Sequence, residues 1–301
     1  MSIIPERNSI PIVAPTPTPF DNKDNPDLQL LEENVLQWLD TGLSGFVVGS
    51  YGGEEFHLSQ AEKNEIIKIV SQAHEGKKFL IAGIDTLSPT VASRQSEEYA
   101  KFGADMVRVR IPKIPHIPGS QSVVDFFEIV TRNSPIPVIP IHQPKLPMDV
   151  DATPEEIGEI SNLENIYAYI ISLNFRWESR LPSFINPNVQ LWTCNGSLLM
   201  PGANIGADGA CLFFANWAPD LCREVISLVK TGRFKEAQTI QKSIVHADYI
   251  GMTKGVAALK AGLNLLGFKA TKPRNPTPEL TAGEIEELKK AFIEAGILHH
   301  S

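Results

Sequence analysis

Cysteine is scarce: the 301 residues hold three, Cys194, Cys211 and Cys222. An odd number, at spacings that fit no zinc or dithiol motif, argues against a disulfide framework and points to a reducing, cytoplasmic compartment. A basic surplus is lacking too. The net charge of −8 speaks against a general nucleic-acid binder and, more weakly, against anionic membrane surfaces. No apolar run reaches the roughly 18 residues of a membrane span. The opening "MSIIPERNSIPIVAPTPTPF" lacks the layout of a secretory signal, and "LHHS" matches no targeting address. His-x-His and H-E-x-x-H are missing and the seven histidines are scattered. No metal and no cofactor is therefore expected.

What is present is alternation. Short apolar runs rich in β-branched residues are separated by stretches of helical period. The strand candidates are 10–15, 45–50, 78–84, 106–112, 136–142, 166–172, 189–193 and 209–214. Helix starts are marked by "SQAE" at Ser59 and "TPEE" at Thr153, both capping-box patterns, the second with Pro154 at its first helical position. Eight βα units imply a parallel sheet, and an α/β fold of the (β/α)8 TIM barrel type fits the count. An open doubly wound sheet fits less well, because no Gly-rich dinucleotide fingerprint follows the first strand. Beyond the eighth strand the pattern is helical: 219–230, 233–250, 253–267 and 281–295, with a Pro-rich loop at 269–280. Residues 1–230 read as the barrel and 231–301 as a C-terminal helical extension of the same domain.

In such barrels chemistry sits in the loops at the C-terminal ends of the strands. After strand two, "GSYGGE" offers the hydroxyls of Ser50 and Tyr51. Its backbone N–H groups around Gly52 and Gly53 form either an anion-binding nest or a turn that satisfies only itself. His142, at the end of strand five, is an acid–base candidate, or a histidine bonded to loop backbone. His116 is similar on a Pro-flanked loop. Lys113 and Lys145, just past strands four and five, are nucleophile candidates if burial lowers their pKa, and otherwise solvated loop residues. Arg108 and Arg110 share one face of strand four. If that face is the lumen, Arg110 clamps a carboxylate at the mouth; if not, both serve salt bridges. Cys194 and Asn195 end strand seven, and Cys194 has no activating base nearby in sequence.

Several of these segments carry a resemblance. "APTPTPFD", "GSYGGE", "AGIDTLSPT", "GADMVRVRIP", "SPIPVIPIHQP" and "GADGACLFFANWAP" are similar to the strand motifs of the dihydrodipicolinate synthase / N-acetylneuraminate lyase family of class I aldolase barrels. "NGSLLMPGANIGADG" looks most like its 4-hydroxy-2-oxoglutarate aldolase branch. The resemblance runs from Pro11 to about Leu298. It implies a small-molecule substrate, a homotetramer or homodimer, and a strand-six Lys that forms a Schiff base with a 2-oxo acid. The strand-two turn would hold that acid's carboxylate, and tyrosines after strands four and five would move protons.

This chain departs from the motif at all three catalytic positions. The strand-six pattern Asn-Ile-x-Gly-x-Lys reads "NIYAYI", so the Lys position holds Ile170. No Lys lies between Lys145 and Lys230. The strand-five Tyr position is Ile141, and the Tyr after strand four falls at Ile114. By strand alternation, Ala168, Ile170 and Ser172 share the lumen while Tyr167 and Tyr169 face the helices. The expectation is a divergent lyase or cyclase for a small organic acid or keto compound, working by acid–base and positional catalysis. It would draw on Ser50, Tyr51, His142 and an apolar lumen at Ile141 and Ile170. A catalytically silent binding protein and an aldolase with a relocated lysine are the alternatives.

Overall fold

Eight short runs, buried along almost their whole length, form the strands, as a parallel sheet covered on both faces requires. In the computed structural model, which describes residues 4–6, 9–112, 122–142, 152–171 and 175–299, they are β1 (Ile12–Pro15), β2 (Gly45–Val48), β3 (Phe79–Ile84), β4 (Met106–Arg110), β5 (Val138–His142), β6 (Ala168–Ile171), β7 (Gln190–Thr193) and β8 (Gly209–Cys211). Each falls inside the stretch its β-branched content marks. They pair in parallel in chain order, and β8 returns to β1, closing a (β/α)8 TIM barrel.

The helices are α1 (Leu28–Leu39), α2 (Gln60–Ala73), α3 (Pro89–Lys101), α4 (Ser122–Asn133), α5 (Pro154–Ser161), α6 (Phe175–Glu178), α7 (Leu199–Asn204) and α8 (Pro219–Lys230). The C-terminal layer adds α9 (Phe234–Lys254), α10 (Val256–Leu265) and α11 (Ala282–Glu294). The capping boxes at Ser59/Glu62 and Thr153/Glu156 form, and a third forms at Thr281/Glu284. Each satisfies two otherwise orphaned N–H groups at a helix start. No helix among the described residues is long and apolar enough to cross a membrane.

Two apolar cores result. The outer one lies between sheet and helices. The inner one fills the lumen with Phe79, Met106, Ile139, Ile141, Ile170 and Trp192, among others. Tyr169 joins the outer core, as alternation requires. Tyr167 does not. It precedes β6, so the strand's alternation does not govern it, and its ring packs on lumenal Trp192 at 6.0 Å. Its hydroxyl donates to the Pro5 carbonyl at 2.9 Å, and burial pushes its pKa to about 12. Tyr167 therefore closes the barrel's base; it does not face the helices.

Candidate active site

The C-terminal mouth holds a cavity of about 80 Å³. Pro15, Val47, Ser50, Tyr51 and Gly52 line it from the β1 and β2 side. Arg108 and Ile141 come from β4 and β5, and Cys194, Cys211, Leu212 and Phe213 from β7 and β8. Met252 of α9 reaches in from the C-terminal layer.

The turn after β2 is built by its glycines. Residues Tyr51–Gly53 form a 3-10 turn. A Cβ on Gly52 would come within 2.8 Å of Pro15 and 3.0 Å of the Phe213 ring, so only glycine lets this turn close on its neighbours. The turn spends much of its own hydrogen bonding. Ser50 O accepts from the N–H groups of Gly53 at 2.9 Å and Glu55 at 3.1 Å, and Tyr51 O accepts from Glu54. Those donors cannot also hold a ligand. Tyr51 and Gly52, at the start of the turn, have no intrahelical acceptor. The Tyr51 ring, half exposed, stacks on Phe213 at 5.8 Å.

Glu54 then takes a left-handed conformation (φ 62°) and turns inward. Its carboxylate sits 2.7 Å from Lys260 of α10 and accepts the Arg274 N–H at 2.9 Å. Lys260 also donates to the Lys272 carbonyl and lies over the Phe20 ring at 4.4 Å. Burial draws its pKa from 10.5 to about 8, partly opposed by the Glu54 charge. This pair ties the β2 turn to the C-terminal layer.

Glu55 faces the barrel. It is 2% exposed and shares its oxygens between two arginines, with Arg108 at 2.9 Å and Arg110 also paired to it. Arg110 reaches Asp85 at 2.9 Å as well. Met106 lies in the lumenal core while Val107 and Val109 lie in the outer one, so the arginine face of β4 is the lumen. Arg108 is buried against the cavity, whereas Arg110 sits further out between two carboxylates. Burial and the neighbouring Arg108 lower the Arg110 pKa, with Glu55 and Asp85 opposing them.

Of the residues expected from sequence, the cavity brings together Ser50, Tyr51, Gly52, Ile141 and Cys194. Gly53 is buried beneath the turn, its carbonyl accepting from Thr18 Oγ1. Ile170 pairs in register with Ile141 and is fully buried in the lumen. Asn195 accepts the Ser197 N–H at 3.2 Å, a capping role. His142 is 3% exposed and is not in the cavity lining. It follows lumenal Ile141, and alternation turns it to the helix side of the sheet with Val138. Lys113, His116, Lys145 and Ser172 lie outside the described residues. Sequence reasoning singled out Arg110 for the clamp and overlooked Glu55, Phe213 and Met252. The structure settles the facing of β4: Val107 and Val109 lie to the helices and leave Met106, Arg108 and Arg110 to the lumen. Among the described residues no group of three or more His, Cys, Asp or Glu is placed to hold a metal ion.

A sequence profile of the dihydrodipicolinate synthetase family matches residues 8–295. The chain belongs to the dihydrodipicolinate synthetase family. "Probable 4-hydroxy-2-oxoglutarate aldolase, mitochondrial" of Emericella nidulans is 25% identical over 290 residues, 94% of each chain. The 4-hydroxy-tetrahydrodipicolinate synthase of Caldicellulosiruptor saccharolyticus is 24% identical over 283 residues, covering 93% of this chain and 95% of that one. The crystal structure of DHDPS from Cyanidioschyzon merolae with lysine bound matches with a TM-score of 0.86 at 23% identity, over 97% of this chain and 100% of that one. Dihydrodipicolinate synthase from Aquifex aeolicus matches with 0.84 at 20% identity, over 96% and 98%. Both structures share the barrel fold. Lyase and aldolase chemistry is the coarse function that membership of the dihydrodipicolinate synthetase family carries.

Proposed function

We propose that this chain is a divergent lyase or cyclase of its family, acting on a small organic acid or keto compound by non-covalent acid–base and positional catalysis. One observation carries the reading. Ile141 and Ile170 are register partners on adjacent strands, both buried in the lumen. These are the positions to which the sequence resemblance assigns a proton-moving tyrosine and a Schiff-base lysine. Isoleucine forms no imine and carries no proton. Among the described residues, the polar side chains lining the mouth cavity are the Tyr51 phenol, the Ser50 hydroxyl, the Arg108 guanidinium and the Cys194 and Cys211 thiols. Positioning supplies several kcal/mol of barrier lowering, and one acid–base group about 10²–10⁴-fold in rate. That suffices for an already reactive substrate, not for a free pyruvate carbanion. Tyr51 takes the acid–base role here, in place of the helix-side His142. The working unit in this reading is a cytoplasmic homotetramer or homodimer.

A second reading is ligand binding without turnover. It draws support from the chemistry of the walls: among the described residues the ionisable lining is Tyr51, Arg108, Cys194 and Cys211, and burial holds the Cys211 thiol well above its ordinary pKa. Borohydride reduction of the full chain with pyruvate, followed by a keto-acid turnover screen of wild type and Tyr51→Phe, separates the readings. The lyase reading expects no covalent adduct and a turnover that falls about 10²-fold or more in the variant. Binding without turnover favours the silent protein. An adduct on Lys113 or Lys145 reveals a relocated Schiff base and overturns the mechanism.

A further inference from the structure

At the barrel mouth a buried guanidinium keeps one N–H without an acceptor among the described residues. Arg108 lies within electrostatic reach of both Arg110 and Lys63, and these two each face the carboxylates Glu55 and Asp85. Glu55 gives one oxygen to each arginine, and Asp85 is taken by Arg110. Glu98, further out, is engaged by Asn64 at 2.7 Å.

The vacancy lies on Arg108. Arg108 is 2% exposed, and its Nη2 serves Gly49 O at 3.1 Å and Glu55 at 2.9 Å. Its Nε has no hydrogen-bond partner among the described residues. A buried guanidinium N–H left unsatisfied is costly and calls for an acceptor. Arg108 also lines the cavity. Its register partner on β3 is Gly83, where a Cβ would fall 2.4 Å from Arg108 Nη2 and 1.9 Å from Gly49 O. The sheet has left out a side chain where the guanidinium lies. The β2 turn, by contrast, has used the N–H groups of Gly53, Glu54 and Glu55 internally. The remaining walls are largely apolar: Val47, Ile141, Cys211, Phe213 and Met252.

We propose that Arg108 anchors the ligand, its Nε–H taking the carboxylate of a small monocarboxylic acid whose body lies against the apolar wall. The proposal rests on the mouth cavity being the working site. It places the acid group on β4, not on the β2 turn where the family resemblance would put it. A single carboxylate fills the vacant hydrogen bond.

Calorimetric titration of the full-length protein with butyrate, 2-oxobutyrate and the neutral isostere butyramide tests this. The acids are expected to bind, and the amide about tenfold more weakly or worse, since it lacks the charge that strengthens a hydrogen bond to a guanidinium. Arg108→Lys keeps the charge but loses Nε, and is expected to weaken the acids about tenfold. Arg108→Met combined with Glu55→Gln removes one charge of each sign, preserving the net balance and leaving no buried carboxylate orphaned. It is expected to lose the acids equally while still melting cooperatively. Equal binding of acid and amide, no binding of either acid, wild-type affinity in the double variant, or a larger loss in Ser50→Ala than in that variant would each overturn the proposal. Turnover of a neutral ketone that ignores Arg108 sinks the anchor and leaves the lyase reading standing. Arg108-dependent acid binding without turnover does the reverse.

Discussion

Replacing Glu55 by Gln puts the most weight on the electrostatics of the mouth. The side chain is 2% exposed and bonded to two guanidinium groups. Glutamine has the same shape but one acceptor oxygen, and its amide nitrogen would point a donor at an arginine donor. Arg108, fully buried, and the partly exposed Arg110 would lose their shared anion. Breaking a buried pair in this way costs about 3–5 kcal/mol. Unfolding entropy near 2.1 cal/mol/K per residue, over 301 residues, comes to about 0.6 kcal/mol/K, so the expected fall in melting temperature is about 5–8 °C. Asp85→Asn is the internal control. Asp85 pairs with the same Arg110, but its side chain is 32% exposed, and its loss is expected to cost under about 1 kcal/mol. Thermal melts of both variants, with and without added formate, provide the assay. Formate is expected to restore part of the Glu55→Gln loss, because it supplies the missing carboxylate. A Glu55→Gln melt no lower than that of Asp85→Asn would refute the reasoning.

Other perturbations test other contacts. Gly83→Ala drives a methyl group into Gly49 O and the Arg108 guanidinium; it is expected to cost about 1–3 kcal/mol in urea unfolding and to weaken butyrate, and an unchanged butyrate affinity would count against the placement of Arg108. Ile170→Lys puts an amine into an apolar lumen that depresses its pKa, so borohydride is expected to trap pyruvate on the introduced amine by mass spectrometry while wild type gives no adduct; equal trapping in both contradicts this. Lys260→Met strands the Glu54 carboxylate and is expected to cost about 3–5 kcal/mol, with Glu54→Gln added to it recovering more than half. Lys260 is held near 8, below its unfolded value of 10.5, so the unfolded chain binds this proton more tightly in between. Its stability contribution therefore rises with pH through that window, by about 1.4 kcal/mol per pH unit. The wild-type minus double-variant stability should grow from pH 8 to 10, and a flat or falling difference would contradict the burial of this amine.

The barrel itself was legible because strand content and helix caps are local signals: β-branched runs and Ser59 or Thr153 with a Glu three residues on need no tertiary information. The pairing of Ile141 with Ile170 in the lumen follows from alternation once the strands are placed. Facing on β4 was harder, since Arg108 and Arg110 share a face and only the lumenal Met106 beneath them shows which. Glu55 looked like an ordinary charged loop residue; its burial depends on a partner 53 positions away. His142 is set apart from the cavity lining by a feature its position conceals: lying at a strand's end says nothing about which side of the sheet a side chain takes. Tyr167 escaped because it sits one residue before the strand whose periodicity was applied to it.

The base of the barrel has its own consequence. Among the described residues, Trp192 fills the interior and Tyr167 is fastened to Pro5 below it, so the barrel is plugged at its base while the cavity opens beside Tyr51 and Phe213. A reaction that joins or splits two fragments in a barrel so plugged has to run in strict sequence: the fragment seated deepest arrives first and departs last. Product inhibition patterns should then report that order, with the deep fragment competing directly against the incoming substrate.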